Sequence, residues 1–258
     1  MTIHFHEEKN RKSYAVRTAS RDWLDAFQKW VTPAGKTVID LGCGGGIYSK
    51  AWAELGVARV IGVDFSEVML QAAEENCKGY DNIAFWQGDA LGTRLPDGCA
   101  DIVFCRAVIH HLSDLGPFFS EAKRLLVPGG VCIVQDRTLE DVMLPGSPEH
   151  LRGYFFSCFP RLLDVEAARR PQLEAVCRHM AGSGLQMVQA HSLWETRREY
   201  NDFAQLAEDL AERTGRSILH ELSDAELNDL IAEIKREVGD QHPIREKDRW
   251  TVWTGITT

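Results

Sequence analysis

The 258-residue chain predicts an α/β fold of the doubly wound kind, an open, largely parallel sheet with helices on both faces. Two observations carry that expectation. The apolar run Thr37-Val38-Ile39 breaks at Asp40-Leu41-Gly42-Cys43-Gly44-Gly45-Gly46, so a buried strand ends in a glycine turn. A second apolar run, Arg59-Val60-Ile61-Gly62-Val63, follows one helix-length later and ends in the acid Asp64.

Each element has a local reason. Glycine reaches positive φ without a Cβ clash, so the turn is tight and lets a ligand lie against bare backbone. Ile47 to Leu55 carries Tyr48, Ala51, Trp52 and Leu55 at helical spacing, so the turn opens a helix whose first N–H groups face that ligand. Asp64 stands about 20 positions beyond the glycines, where such a unit places a carboxylate against ribose hydroxyls. These features predict a bound nucleoside. A dinucleotide fingerprint counted from Gly42 would need glycine at the sixth position, which holds Ile47. An acid at Asp40 would also repel a pyrophosphate.

Asp40, Gly42, Gly44 and Gly46 resemble the first motif of the class I, Rossmann-like S-adenosylmethionine-dependent methyltransferases, of the small-molecule type. A cofactor with an ammonium and a sulfonium suits Asp40 by charge. Phe85-Trp86-Gln87-Gly88-Asp89-Ala90 resembles that family's third strand and following loop, which implies that Asp89 bonds the adenine amino group and the Ala90 N–H a ring nitrogen. Asp101-Ile102-Val103-Phe104-Cys105-Arg106-Ala107 is similar to the fourth strand, whose carbonyls at Cys105 and Arg106 would receive the cofactor's amino group. Leu125-Leu126-Val127-Pro128-Gly129-Gly130-Val131-Cys132-Ile133-Val134 resembles the helix end, turn and fifth strand. Phe65 is placed to stack on adenine or to join the core, and Tyr14 to close over the methionine end, to face solvent or to serve packing. The resemblance implies a seven-stranded sheet, with Arg249 to Ile256 as an antiparallel seventh strand inserted between the fifth and sixth.

Further along, Pro171 to Ala181 reads as a helix and Leu185 to Leu193 as a strand. The chain is expected to form one methyltransferase domain, 1–258, with an N-terminal helical segment over 1–35 and two helical lid insertions, 138–170 and 194–248. Both insertions leave the carboxyl ends of strands, the ligand-binding edge of such sheets. Phe203, Leu206 and Leu210 take helix spacing, and Ser223-Asp224-Ala225-Glu226 caps a second helix. The N-terminal helix around Trp23, Phe27 and Trp30 is expected to join the lid. Tyr154, Phe155, Phe156 and Phe159, flanked by Arg152 and Arg161, pack the lid or hold an acceptor with an anionic group. Arg213, Arg216 and His220 read as a solvated helix face.

Composition narrows the partner. A net charge of −9 disfavours nucleic acid and anionic membranes, which reward a basic face, so a small-molecule acceptor is expected. The seven cysteines are scattered, odd in number and never spaced as Cys-x-x-Cys, which suggests neither a disulfide framework nor zinc and fits the cytoplasm. Residues 1–17 are polar, without the apolar stretch of a signal or membrane span.

Methyl transfer from a sulfonium is an in-line displacement that gains mainly from alignment and exclusion of water. A hydroxyl or protonated amine acceptor must also lose a proton, and His110, in Val108-Ile109-His110-His111-Leu112, is the candidate base. No Asn-Pro-Pro-Tyr-like run follows the fourth strand, which disfavours nucleic-acid bases and glutamine amides as acceptors. No acidic cluster suggests a metal, so metal-independent transfer, yielding S-adenosylhomocysteine, is expected. Two alternatives stand beside it, an NAD(P)-dependent oxidoreductase and a non-catalytic S-adenosylmethionine-binding protein.

Overall fold

The computed structural model describes residues 18–239 and 242–258. Their strands are β1 (Thr37–Leu41), β2 (Arg59–Asp64), β3 (Ile83–Gln87), β4 (Ala100–Arg106), β5 (Leu126–Asp136), β6 (Gln186–Tyr200) and β7 (Ile244–Ile256), arranged as one seven-stranded sheet in the order β3-β2-β1-β4-β5-β7-β6. The helices are α1 (Arg21–Trp30), α2 (Ile47–Glu54), α3 (Glu67–Asn76), α4 (Gly116–Leu125), α5 (Leu139–Val142), α6 (Arg152–Cys158), α7 (Leu162–Ala167), α8 (Leu173–Gly182), α9 (Phe203–Ala211) and α10 (Asp224–Val238). Short 3-10 turns occupy Ile109–His111 and Ser217–Glu221. No described helix is long and apolar enough to cross a membrane.

The β1–β2, β2–β3, β1–β4 and β4–β5 ladders are parallel, whereas β7 runs antiparallel to β5, with Val131 opposite Ile256 and Asp136 opposite Thr251. Strand order reverses between β1 and β4, the switch point at which such sheets open a crevice for a ligand. Register carries Asp40 beside Gly62 and Phe104, Leu41 beside Cys105, and Arg106 beside Gln135. The residues expected to bind and react therefore gather at one edge of the sheet.

The chain divides into two compact units. One holds the sheet strands up to Asp136 with Pro171–Leu193 and Thr251–Thr258. Its core includes Ile39, Leu41, Val63, Val103, Phe118 and Trp253, and burying each such side chain contributes about 1.5–3 kcal/mol. Helix α1 belongs to this unit. Trp23 and Phe27 are fully buried, and the Trp23 ring meets Trp52 and Phe104 edge-on at 5.2 and 5.7 Å. Its Nε1 donates to Gln135 Oε1 at 2.9 Å, satisfying the one polar atom that burial would strand. Two large apolar rings at i and i+4 give the helix one face that must be covered, and here the core of this unit covers it.

The other unit is formed by Arg137–Arg170 together with Trp194–Trp250. Tyr154, Phe155 and Phe156 pack in its core with Leu206, Leu210, Leu230 and Ile234, so the aromatic cluster is structural. Helix α10 starts in a capping box in which Ser223 and Glu226 satisfy each other's backbone N–H groups. Strands β6 and β7 run beyond the apolar patterns at 185–193 and 249–256, into residues that look too charged for a strand.

The charges are paired inside. Arg197 of β6 and Arg216 share Asp209 and Glu246, with Arg216 Nη1 at 2.6 Å from Asp209 Oδ2 and Nη2 at 2.7 Å from Glu246 Oε2. The Tyr200 hydroxyl donates into the same carboxylates. Arg216 is 1% exposed, so the solvated face expected for it is a buried ion network. Arg213 likewise turns inward, donating to the carbonyls of Leu219 and Leu222. Arg152 is buried on Asp248, and Arg161 pairs with Glu226 at 2.9 Å near the surface.

Candidate active site

The turn after β1 is shaped by glycine where only glycine fits. Gly42, Gly44 and Gly46 take φ of +72°, +51° and +80°. A Cβ on Gly42 would lie 2.4 Å from Val108 Cγ2, inside any permitted contact. The N–H groups of Gly42 and Cys43 both donate to the Val63 carbonyl, at 2.7 and 3.0 Å, which binds the turn to the end of β2. Asn76 reaches back from α3 to donate to the Gly45 carbonyl at 3.0 Å.

Asp64 closes this arrangement. Its Oδ2 accepts from the Gly44 N–H and its Oδ1 from the Ser66 N–H, both at 2.9 Å. These two backbone donors, one from the turn and one from the start of α3, aim the carboxylate. The acid that the sequence spacing singles out thus meets the glycine turn. Phe65, next in the chain, is 55% exposed and so stands outside the core.

Asp40 is buried at 2% exposure, and its Oδ2 accepts from Ser49 Oγ at 2.6 Å. Burial pushes its carboxyl up to about 7, against the pull of the Ser49 hydrogen bond and the Arg106 charge. A buried acid in this condition is suited to an incoming cation, whose charge would hold it ionised. Arg106 lies over the Tyr48 ring at 4.3 Å. Cys105 is fully buried, and desolvation holds its thiol well above the usual range, so the thiolate is disfavoured there.

After β3, the Gly88 N–H donates to the Asp64 carbonyl at 3.0 Å, which draws that loop to the end of β2. Asp89 Oδ1 accepts from the Leu91 N–H at 2.9 Å, an Asx turn, and Ala90 packs against the sheet core. Asp40, Gly42, Gly44, Gly46, Asp64, Phe65, Asp89, Ala90, Cys105 and Arg106 thus stand on strand ends or the loops that leave them. Tyr14 lies outside the described residues.

The structure gives His110 a partner that the sequence reading does not name. His110 sits in the 3-10 turn after β4, and its Nδ1 lies 2.8 Å from Asp136 Oδ2 and 3.0 Å from Oδ1. The His110 backbone N–H also donates to Asp136 Oδ2, at 3.3 Å. Asp136 ends β5 with no side-chain exposure, while the His110 side chain is 8% exposed. With Nδ1–H given to the carboxylate, Nε2 is the nitrogen able to take a proton. The signal was present, since an acid ending a buried strand had already singled out Asp64. The His111 ring is 4.0 Å from that of His110.

Residues 39–134 match a family model described as a methyltransferase domain. Over 110 residues the chain is 38% identical to a ubiquinone biosynthesis O-methyltransferase of Methylococcus capsulatus, covering 42% of this chain and 46% of that protein. Over 124 residues it is 31% identical to a 2-methyl-6-phytyl-1,4-hydroquinone methyltransferase of Synechocystis, covering 46% and 39%. The chain therefore spans less than half the length of these curated relatives. Among solved structures, phosphoethanolamine N-methyltransferase 2 of Haemonchus contortus, in complex with phosphomonomethylethanolamine and S-adenosylhomocysteine, superposes with a TM-score of 0.64 at 18% identity, covering 99% of this chain and 61% of that one. A SAM-dependent methyltransferase of Aquifex aeolicus gives 0.55 at 15% identity, covering 93% and 91%. These two share the fold.

Proposed function

We propose, from the methyltransferase domain that the chain carries over residues 39–134, that this protein transfers a methyl group from S-adenosylmethionine to a hydroxyl of a small-molecule acceptor. The observation that carries the reading is the glycine turn of β1 locked to Asp64 at the end of β2, beside a buried Asp40. The residues fit the cofactor. Asp64 would hold the ribose, Asp40 would face the cationic end, Asp89 and the Ala90 N–H would meet adenine, and the Cys105 and Arg106 carbonyls would receive the amino group. Phe65 would stack on the adenine face, and Tyr14 belongs to the same proposal.

When bound, the cofactor supplies a methyl group made electrophilic by a sulfonium. The chain's own residues supply the rest. Asp136 orients His110 and stabilises the imidazolium that forms as Nε2 takes the acceptor's proton. The nucleophile gains charge as its proton leaves, and positional control over it is the larger part of the acceleration. A carbon or sulfur acceptor would make less use of this dyad, and the similarity to named O-methyltransferases favours a hydroxyl over an amine.

The proposal includes one methyltransferase domain with its N-terminal segment and the insertions 138–170 and 194–248. It takes the acceptor to be a small molecule rather than nucleic acid, in keeping with the net charge of −9, and the place of action to be the cytoplasm. An oxidoreductase reading is disfavoured by Ile47 in place of the last fingerprint glycine and by Asp40 where a pyrophosphate would lie. Calorimetric titration with S-adenosylmethionine, S-adenosylhomocysteine and NAD tests the cofactor. Binding of NAD alone would refute the reading. A screen of phenolic and other hydroxyl compounds for S-adenosylhomocysteine release then identifies the acceptor, and a purely binding protein would release none.

A further inference from the structure

The connection from β3 to β4, residues 88–99, contains no helix, although it must pass β2 and β1 to reach its place in the sheet. A helix is about 10 Å across and would cover the strands beneath it. An irregular run covers less, and the sheet face below it stays partly bare. Ile61 of β2 stands opposite Ala84 of β3, and Val63 opposite Trp86, so these side chains share that face. Ala84 is exposed and Trp86 is 47% exposed, unusual for an apolar strand beside a core. The indole is nevertheless fixed, since Trp86 Nε1 donates to the Thr93 carbonyl at 3.0 Å.

The result is a cavity of about 340 Å³ whose walls include Ile61, Ala84, Trp86, Leu95 and Cys99, with Arg59 contributing charge. Arg59 opens β2, at the other end of that strand from Asp64, so the cavity is separate from the glycine turn. It is exposed, and among the described residues its guanidinium makes no ion pair or hydrogen bond. The volume falls in the range of small-molecule sites, the walls are apolar, and a single cation stands among them. We propose that this cavity is a second small-molecule site, for an apolar carboxylate. The hydrocarbon body packs on Ile61, Ala84, Leu95 and the Trp86 ring, and the carboxylate pairs with Arg59. An amphiphilic cation is disfavoured by Arg59, and a neutral hydrocarbon makes no use of it. The inference stands independently of methyl transfer.

Decanoate is the probe and decanol its uncharged counterpart, both titrated by calorimetry and by tryptophan fluorescence. One decanoate per chain is expected to bind. Arg59→Gln should weaken decanoate by roughly threefold to fivefold while leaving decanol unchanged. Ala84→Trp should fill the space and abolish both. Because that substitution could disturb an edge strand, the unaltered protein gives a second readout. Cys99 lines the cavity, and burial raises its thiol, so alkylation by iodoacetamide at alkaline pH, followed by peptide mass spectrometry, should slow several-fold when decanoate is present. Absence of decanoate binding, or binding that neither substitution alters and that leaves Cys99 unprotected, would overturn the proposal. So would self-association by sedimentation that Ala84→Trp abolishes, since the face would then be an interface between two copies of the chain.

Discussion

Asp136 Oδ2 lies 2.8 Å from His110 Nδ1, joining the last residue of β5 to the turn that follows β4. The two positions lie far apart in sequence and meet because β4 and β5 are neighbours in parallel register, with Arg106 opposite Gln135. A carboxylate that holds one imidazole nitrogen fixes the tautomer and leaves the other nitrogen basic.

His110→Ala should therefore lower kcat by about 10²–10⁴-fold with cofactor affinity nearly unchanged. Asp136→Asn should lower kcat as well and alter the pH–rate profile, because the amide no longer supports the imidazolium. Steady-state rates across pH, once an acceptor is known, check both. An unchanged rate in His110→Ala would return the histidine to a structural role.

Asp64→Ala removes the acceptor of the Gly44 and Ser66 N–H groups together with the proposed ribose contacts. Cofactor binding should weaken by about 1.5–3 kcal/mol, with circular dichroism showing the fold retained. Calorimetry decides it, and equal affinity would remove Asp64 from the site.

Asp40 gives a pH dependence of definite sign. Its carboxyl sits at about 7 in the fold against an ordinary value of 3.8, because burial disfavours the charge. Between those values the unfolded chain releases a proton that the folded chain keeps, so cofactor-free stability falls as pH rises through this window. Asp40→Asn keeps an acceptor for Ser49 but cannot ionise. The variant should be more stable than the parent by about 2–4 kcal/mol above neutrality and show a flatter profile from pH 4 to 7. It should also bind S-adenosylmethionine more weakly. Thermal melts over pH without and with cofactor separate the two effects.

The buried network of Arg197, Arg216, Asp209 and Glu246 predicts the opposite slope. Arg216 and Arg197 hold the Asp209 and Glu246 carboxyls below their ordinary range, overcoming the desolvation that burial imposes. Stability from these acids is present above the unfolded carboxylate range near pH 4 and is lost as pH falls below it. Removing one partner, as in Arg216→Ala, should destabilise the protein by about 3–5 kcal/mol in denaturant titrations, since it strands a buried charge.

What could be read in advance follows a physical division. Local pattern determined the glycine turn, the position of Asp64, the capping box at Ser223 and the helical spacing of Leu206 and Leu210, because each depends on neighbours in sequence. The partners of Arg216 and His110 could not be read that way. Asp209, Glu246 and Asp136 reach them only through tertiary packing, and a charged residue in a linear pattern looks solvated until its counter-ion is known. The ends of β6 and β7 escaped for the same cause, since Arg197 and Glu246 enter a strand only as a pair. Trp23 and Phe27 were visible as a helix face, but the surface covering that face was not.

The contact between Gly42 and Val108 constrains how this protein can drift over generations. Any side chain arriving at position 42 would collide with the valine ahead of the histidine turn, 2.4 Å away, so position 42 can change only where Val108 has shrunk. Trimming Val108 to alanine should make room for an alanine at 42, while the +72° backbone angle keeps that rescue incomplete. Sequences descended from a common ancestor should then record a small residue at one position whenever the other has grown.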